Sequence, residues 1–252
     1  AGVMYGGQGV CIQMDNLLPP PAGNAYETYL LLQSSSELTH LHNRISGYFA
    51  SALQSFAVEV INPFINGADN LPSLEEIQQA KTYLHYAKKL YNKENTITQR
   101  IDINKKLLNI FEVMITQKYK AIPEAIEKVK EIMEIHQDAS YTHTTLSDLY
   151  RRLNKLQKAK ESGKVAANRI PTWTEPKASV GQAYFKEGNY EEALQEFDKI
   201  VELRPDIAKG YKFRGDVYTF LGNFEKAEEQ YKLASEKESE NAGVLYRKAQ
   251  LN

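Results

Sequence analysis

The chain is poor in cysteine and contains no long apolar run. Cys11 is the single cysteine among 252 residues, so an intrachain disulfide is impossible and a zinc site built on several thiolates is excluded. No run approaches the roughly 18 apolar residues that a bilayer-spanning helix needs. The formal net charge is only −1, which gives no general argument for nucleic acid or an acidic membrane as a partner. What remains is an ordinary globular composition, with 42% hydrophobic and 25% charged residues.

Residue patterns for metal or cofactor chemistry are also missing. His40 and His42 are two positions apart on a predicted helix, so they face different directions and cannot chelate one ion locally. His85, His136 and His143 are isolated, and no His–Glu pair has the spacing of a zinc protease. We therefore expect no metal site, no cofactor and no catalytic residues.

The N-terminal part differs in composition from the rest of the chain. Residues 1–70 contain one basic and five acidic residues, whereas the remainder contains thirty basic and twenty-seven acidic residues. Three consecutive prolines at positions 19–21 block regular backbone hydrogen bonding and favour an extended conformation. These features predict an irregular N-terminal arm over residues 1–36.

A glycine-rich stretch at residues 6–9 raises an enzymatic alternative. A phosphate-binding loop needs a preceding strand, a following helix and usually Lys-Ser/Thr, and none of these is visible. The stretch also faintly resembles the caspase-like pattern in which Gly-His-Gly precedes a Leu-Pro segment. Gln8 stands where the catalytic histidine would be, and Cys11 is the only cysteine, so an active site of this kind is contradicted. An inactive caspase-like remnant, or a fragment of another hydrolase in which the rest of the chain recruits substrate, stays as the alternative.

Apolar residues recur at intervals of three or four from residue 37 to residue 66, which predicts a helix ended by Asn62–Pro63 and Asn66–Gly67. Ser73 and Glu76 resemble a capping box, so a second helix is expected from there to about residue 92. From residue 96 onward the patterns favour helices only, joined by short linkers.

A period of thirty-four residues runs through the C-terminal half of the chain. Small and large residues recur in the same register: Ala125, Ala159, Ala193, Ala227; Tyr150, Tyr184, Tyr218; Pro171, Pro205; Gly181, Gly215, with Ser147 in the matching place; and Val129, Phe197, Tyr231, with Gly163 as the exception. Helices that pack closely need small residues where their backbones approach, and a proline after the second helix ends it. Asn189 and Asn223 stand where a helix N-cap is expected.

This register resembles the tetratricopeptide repeat family. Residues 174–241 match most positions of the family pattern, residues 140–173 match fewer, and residues 106–139 match mainly in their second helix. The resemblance implies an all-α fold, a right-handed superhelix of antiparallel helix pairs with an irregular N-terminal arm. It divides the chain into a helical region at 37–105, four units at 106–241 and a capping helix at 242–252. The helices at 37–92 are either degenerate repeats or a packing extension.

The resemblance also implies where a partner would bind, because in this family the first helix of each unit lines a concave face. The side chains expected there lean basic and include aromatic residues that could anchor a partner: Tyr141, Asp148, Arg151, Arg152, Gln182, Phe185, Lys186, Lys209, Lys212, Asp216 and Phe220. Some family members hold a C-terminal carboxylate in a clamp of lysines and asparagines. Here Thr144, Asp148, Ala178 and Gln182 occupy those places, so the clamp is incomplete.

The sequence thus predicts a non-catalytic adaptor, a scaffold or a subunit of a larger assembly, which binds a protein or peptide in the concave groove. The N-terminal arm and helices could form a further interface with another chain. No nucleic-acid partner and no transmembrane segment are expected. The sequence leaves two alternatives for the compartment. One is the cytoplasm; the other, if Ala1 marks removal of a signal peptide, is the periplasm or another extracytoplasmic space.

Overall fold

A computed structural model describes residues 39–250, except for residues 69, 91–95, 117 and 138. The arm predicted over residues 1–36 lies outside the described residues. Ten α-helices and no strand occur in the part of the chain that is described. The helices are α1 Thr39–Ile65, α2 Leu74–Leu90, α3 Thr96–Thr116, α4 Ile122–Ile135, α5 Ser140–Arg152, α6 Leu156–Arg169, α7 Thr174–Glu187, α8 Tyr190–Leu203, α9 Ala208–Phe220 and α10 Phe224–Gln250.

The chain forms two compact units. Among the described residues, the first comprises those up to 60 together with those from 75 to 105. Its core contains apolar side chains of α1 and α2. Leu53, Ile77 and Leu84 are fully buried there. Phe56 packs against Tyr83 with ring centroids 5.5 Å apart. The second unit comprises residues 61–74 together with 106–252, and it contains the thirty-four-residue register.

The first two helices follow the predicted bounds with one correction. The predicted stop at Asn62–Pro63 is wrong, because Pro63 lies inside the last turn of α1. The proline nitrogen carries no hydrogen and cannot donate a backbone hydrogen bond. The carbonyls of this turn still accept: Asn66 N donates to Asn62 O at 2.9 Å, and Ala68 N donates to Pro63 O at 2.8 Å. The helix ends instead before Gly67, whose φ of 92° lies in the left-handed region that glycine adopts readily. The next helix, predicted from residue 73 to about 92, runs from Leu74 to Leu90.

Helix starts in the second unit repeat the period read from the sequence. The first helices of successive pairs begin at Ser140, Thr174 and Ala208, and the second helices begin at Ile122, Leu156, Tyr190 and Phe224. Each interval is therefore thirty-four residues. The fold is all-α and consists here of antiparallel helix pairs joined by short turns.

The turns inside three successive pairs have the same geometry. Asn154, Gly188 and Gly222 have φ values of 58°, 81° and 73°, and they are spaced by thirty-four residues. In each turn the next residue donates its N–H back to the carbonyl of the tyrosine four positions before the left-handed residue, as in Asn189 N to Tyr184 O at 3.0 Å. This left-handed turn sends the chain back antiparallel along the first helix.

Two predicted boundaries do not coincide with helix boundaries. α3 begins at Thr96, ten residues before the predicted start of the first unit at 106. The separate capping helix predicted at 242–252 is wrong, because α10 runs without a break from Phe224 to Gln250. The physical reason lies in Ser239, which stands where Pro171 and Pro205 follow the second helices of the two preceding pairs. No proline therefore ends the helix at that point.

Candidate partner-binding groove

Some of the side chains predicted to line the concave face meet at a cavity of about 410 Å³ in the second unit. They come from the first helices of three successive pairs, α5, α7 and α9. From these helices the cavity is lined by Thr144, Asp148, Arg151, Arg152, Glu175, Ala178, Ser179, Gln182 and Lys209. We call this arrangement the groove. Its walls combine charged, amide and hydroxyl groups with a few apolar side chains.

Five of the eleven predicted site residues line this cavity: Asp148, Arg151, Arg152, Gln182 and Lys209. Tyr141 is only 7% exposed, so it belongs to the core, where burial raises the pKa of its hydroxyl. Phe185 and Phe220 meet edge to face, with ring centroids 4.8 Å apart, at the ends of α7 and α9. Phe220 remains 67% exposed there. These aromatic residues thus lie together, but not among the side chains that line the cavity.

Asp148 forms ion pairs with two of the predicted cationic residues. Its carboxylate lies 2.5 Å from Arg151 Nη2 and 2.6 Å from Arg152 Nε. Arg152 also donates from Nη1 to the carbonyl of Met114 at 2.6 Å. One carboxylate faces two guanidinium groups, so a net positive charge remains at this cluster, and Arg152 links α5 to α3. Asp148 Oδ2, Arg151 Nε and Arg152 Nε are buried without a hydrogen-bond partner among the described residues.

The predicted lysines of α9 are also paired within the unit. Lys209 forms an ion pair with Glu175, and Lys212 forms one with Glu238. Asp216 accepts a hydrogen bond from the Tyr231 hydroxyl at 2.8 Å. Both lysines of the expected basic surface are therefore paired with carboxylates that come from other positions of the register.

Lys186 lies beside this cluster at the end of α7. Its ammonium group donates to the Arg151 carbonyl at 3.4 Å. Burial and the neighbouring charge of Arg151 lower the pKa of Lys186, while Asp148 acts in the opposite direction. The positive charge at this end of the groove is thus concentrated around Arg151 and Lys186.

Phe64, Asn70 and Leu71 also line the groove, which no sequence pattern indicated. Phe64 packs edge to face on Trp173 and on Phe111, with ring centroids 5.3 Å and 5.0 Å apart. The indole N–H of Trp173 donates to the Ala68 carbonyl at 3.1 Å. Asn70, Leu71 and Phe64 line the same cavity as the repeat side chains. The local sequence indicates only the end of a helix here, because the position of the segment depends on contacts across more than one hundred residues.

A second cavity of about 420 Å³ lies against the same segment. Its walls are Gly67, Ala68, Asn70, Arg204, Ile207, Ala208 and Lys209. Asn70 and Lys209 line both cavities. Gly67, Ala68, Asn70 and Leu71 therefore contribute to the walls of two neighbouring spaces next to α7 and α9.

Nothing in the described residues suggests metal chemistry or a membrane span. No group of three or more His, Cys, Asp or Glu side chains is placed there to hold a metal ion. Among the same residues, no helix combines the length and apolarity that a bilayer crossing requires.

Family profiles of the tetratricopeptide repeat match residues 178–207 and residues 208–240. Two solved structures are similar in fold. One is TTC0263, a thermophilic TPR protein in Thermus thermophilus, with 16% identity, a TM-score of 0.54, and coverage of 80% of this chain and 97% of that chain. The other is MamA, with 18% identity, a TM-score of 0.51, and coverage of 69% of this chain and 99% of that chain.

The profile matches cover the last two helix pairs, in which the period, the small-to-large packing and the left-handed turns are best developed. Stacked repeats of this kind present extended binding surfaces to other proteins. Neither comparison supports the alternative of an enzyme fragment. Residues 178–240 thus match the tetratricopeptide repeat, and these repeats support a protein-interaction role of the adaptor or scaffold type.

Proposed function

We propose that this protein is a non-catalytic adaptor that holds a segment of a partner protein in the groove formed by α5, α7 and α9. The observation that carries the proposal is the convergence of equivalent register positions on one cavity. Asp148 and Gln182 are thirty-four residues apart, and so are Glu175 and Lys209; all four side chains line the same space. A partner segment running along the groove would meet one such set from each pair.

Affinity purification with quantitative mass spectrometry tests this proposal. The intact protein and a Gln182→Ala/Lys209→Ala variant serve as baits. Gln182 is partly exposed and Lys209 lies in an ion pair near the surface, so the variant should fold. Arg151 and Arg152 are poor choices for the substitution, because both hold Asp148 and Arg152 also supports α3.

A Lys199→Ala variant is the matched control. Lys199 is on α8, a second helix, and pairs with Glu196 at 2.7 Å on the exposed surface. We expect the groove variant to lose its principal partner by about tenfold or more, as for removal of central interface contacts, while the control retains it. Equal recovery of the same partner by all three baits would show that the groove does not bind it.

The N-terminal arm is proposed as a second attachment point within a larger complex. The support is the composition boundary near residue 70, which separates a glycine- and proline-containing, weakly acidic region from the helical remainder. Removing residues 1–36 should leave the groove partner bound and eliminate a different set of co-purifying chains. Loss of the groove partner together with that set would contradict two separate attachment points.

A further inference from the structure

The last helix pair of the second unit exposes side chains that the pair before it covers. Phe197 on α8 is 1% exposed, because Phe213 of the next first helix packs on it with ring centroids 4.9 Å apart. Tyr231, one period later on α10, is 40% exposed. Phe224 is 70% exposed, whereas Tyr190, one period earlier, is half-buried. No described helix therefore covers the far face of α10 in the way that α9 covers α8.

The segment that would supply this cover continues away from the pair instead. α9 begins five residues after α8 ends, so it can turn back along that helix. α10, by contrast, runs without a break to Gln250. Residue 245 lies fourteen residues beyond Tyr231, which is about 21 Å along the helix axis. The end of α10 thus cannot cover Tyr231 of its own chain, but the same segment of a second copy can reach it.

The exposed positions continue as one apolar stripe along α10. Phe224, Tyr231, Ala242, Leu245 and Ala249 stand at positions connected by steps of three and four residues, the spacing of one face of a helix. The 27 residues of α10 span almost four heptads, or about 40 Å. A stripe of this length is sufficient for two helices to pack side by side.

The two halves of α10 and its C-terminal end carry opposite charge. Residues 224–240 contain six glutamates and three lysines, a net charge of −3, whereas residues 241–252 contain Arg247 and Lys248 and no acidic residue. An antiparallel pair of helices places the basic end of each beside the acidic half of the other, while a parallel pair would place like charges together. Charge therefore favours an antiparallel arrangement of two identical helices.

We propose that this protein forms a symmetric dimer in which the α10 helices of two copies pack antiparallel. Residues 242–250 of each copy then cover the face that Phe224 and Tyr231 expose on the other. The contact is the same in both directions, so it closes at two copies. The residues that line the two cavities come no later than Lys209 in the chain, and the interface thus lies outside the groove. A dimer of this kind carries two grooves and binds a partner with two recognition segments more tightly than one copy does.

Size-exclusion chromatography coupled to light scattering, with the full chain, tests the proposal. At about 50 µM protein we expect twice the 28.7 kDa mass of one chain, with a dissociation constant of about 10 µM or below. A protein that stays monomeric at about 200 µM would overturn the proposal, whether another protein or the end of the same chain then covers the face. A species larger than a dimer would overturn it as well, because the contact proposed closes at two copies.

Variants at both ends of the contact locate the interface. Phe224→Ser and Leu245→Ser should each raise the dissociation constant of the dimer by about tenfold or more, because each removes a large apolar contact. Ile135→Ser is the control, since Ile135 is a similarly exposed apolar residue at the end of α4. Circular dichroism verifies that each variant keeps its helices, and the high exposure of Phe224 means that its replacement should leave the fold intact. If either folded variant dimerises as well as the intact protein, the inference is wrong.

Single cysteines test the antiparallel orientation. In a Cys11→Ser background, which removes the only native cysteine, Glu228→Cys and Arg247→Cys chains are mixed under mild oxidation and the products are identified by mass spectrometry. Antiparallel packing brings these two positions together and separates the two copies of either position by about 30 Å along the axis. The mixed disulfide should therefore form at least about tenfold faster than a disulfide between like chains. Preferential linkage of 228 to 228 and of 247 to 247 would show a parallel pair and contradict the proposal.

Discussion

At the scale of single residues, close helix approach in the repeats depends on a small side chain facing a large one. A Cβ on Gly181 would lie 2.5 Å from the Phe197 ring, and a Cβ on Gly215 would lie 2.6 Å from the Tyr231 ring. In the preceding pair both positions carry small residues. Ser147 takes the glycine position, and Gly163 takes the position of the ring, where Val180 fills the space. The pattern exception at Gly163 is therefore a compensated one.

Gly181→Ala should destabilise the protein by about 1–3 kcal/mol, because the added methyl group overpacks a buried aromatic ring. Urea unfolding followed by the fluorescence of Trp173, the only tryptophan, measures the free energy of unfolding. Gly47→Ala is the control: a Cβ there meets nothing within 4 Å, and alanine favours the helix by about 0.5–1 kcal/mol. Adding Phe197→Leu to Gly181→Ala should recover part of the loss. A Gly181→Ala protein as stable as the wild type would show that α7 and α8 can separate at no cost.

His143 should make stability depend on pH in a defined direction. Burial, and then the positive charge of Arg169, lower the pKa of His143 in the folded protein. Above about pH 6.5 the imidazole is neutral in both states and contributes nothing to the difference. As the pH falls below that value, the unfolded chain binds the proton first, so the free energy of unfolding decreases.

His143→Gln removes this contribution. The loss of stability between about pH 7.5 and about pH 5.5, measured by urea unfolding, should be smaller in the variant than in the wild type. Some loss should remain, because burial also lowers the pKa of His85. An identical pH profile for both proteins would show that the environment of His143 does not oppose protonation.

At the scale of helices, the sequence predicts the period because each repeated residue has a structural role within its own helix pair. The proline positions, the turn residues and the small-to-large pairs all recur every thirty-four residues, and the helix starts follow them. The capping prediction was only half right. Asn223 accepts a hydrogen bond from Lys226 N at 3.1 Å, whereas Asn189 forms no side-chain cap and donates to the Glu187 carboxylate at 3.1 Å. Sequence places the asparagine, but its rotamer depends on neighbours such as Glu187.

The two asparagines form a matched pair for measuring a helix cap. Asn223→Ala should cost about 1 kcal/mol of stability, because the first turn of α10 loses the acceptor for Lys226 N. Asn189→Ala should lower the stability by only about a few tenths of a kcal/mol, because it removes an exposed contact with Glu187. Urea unfolding of both variants followed by circular dichroism provides the comparison. Equal losses would mean that the cap at residue 223 contributes no more than the surface contact at residue 189.

At the scale of the second unit as a whole, residues 61–74 belong to the same compact unit as the repeats. The repeat pattern could not predict this, because nothing in the register refers to a segment outside it. The same limit applied to the groove. The inner positions could be counted from the period. The ion pairs of Asp148 and Glu175 depend on tertiary contacts, and so does the place of Asn70 in the cavity lining. The period therefore predicts the register of these positions, whereas packing determines which of their charges are paired.

Phe64 gives the most direct test of this long-range packing. Its ring is 2% exposed and contacts Phe111 and Trp173, so Phe64→Ala should leave a cavity and destabilise the second unit by about 3–5 kcal/mol. Phe64→Leu keeps most of the apolar volume and should cost clearly less. Trp173 reports on the site itself: its emission should shift toward that of an exposed indole in Phe64→Ala, and the urea midpoint should fall. If the emission and the midpoint stay at their wild-type values, residues 61–74 do not stabilise the repeats. The packing of Phe64 then does not hold Asn70 in the cavity lining.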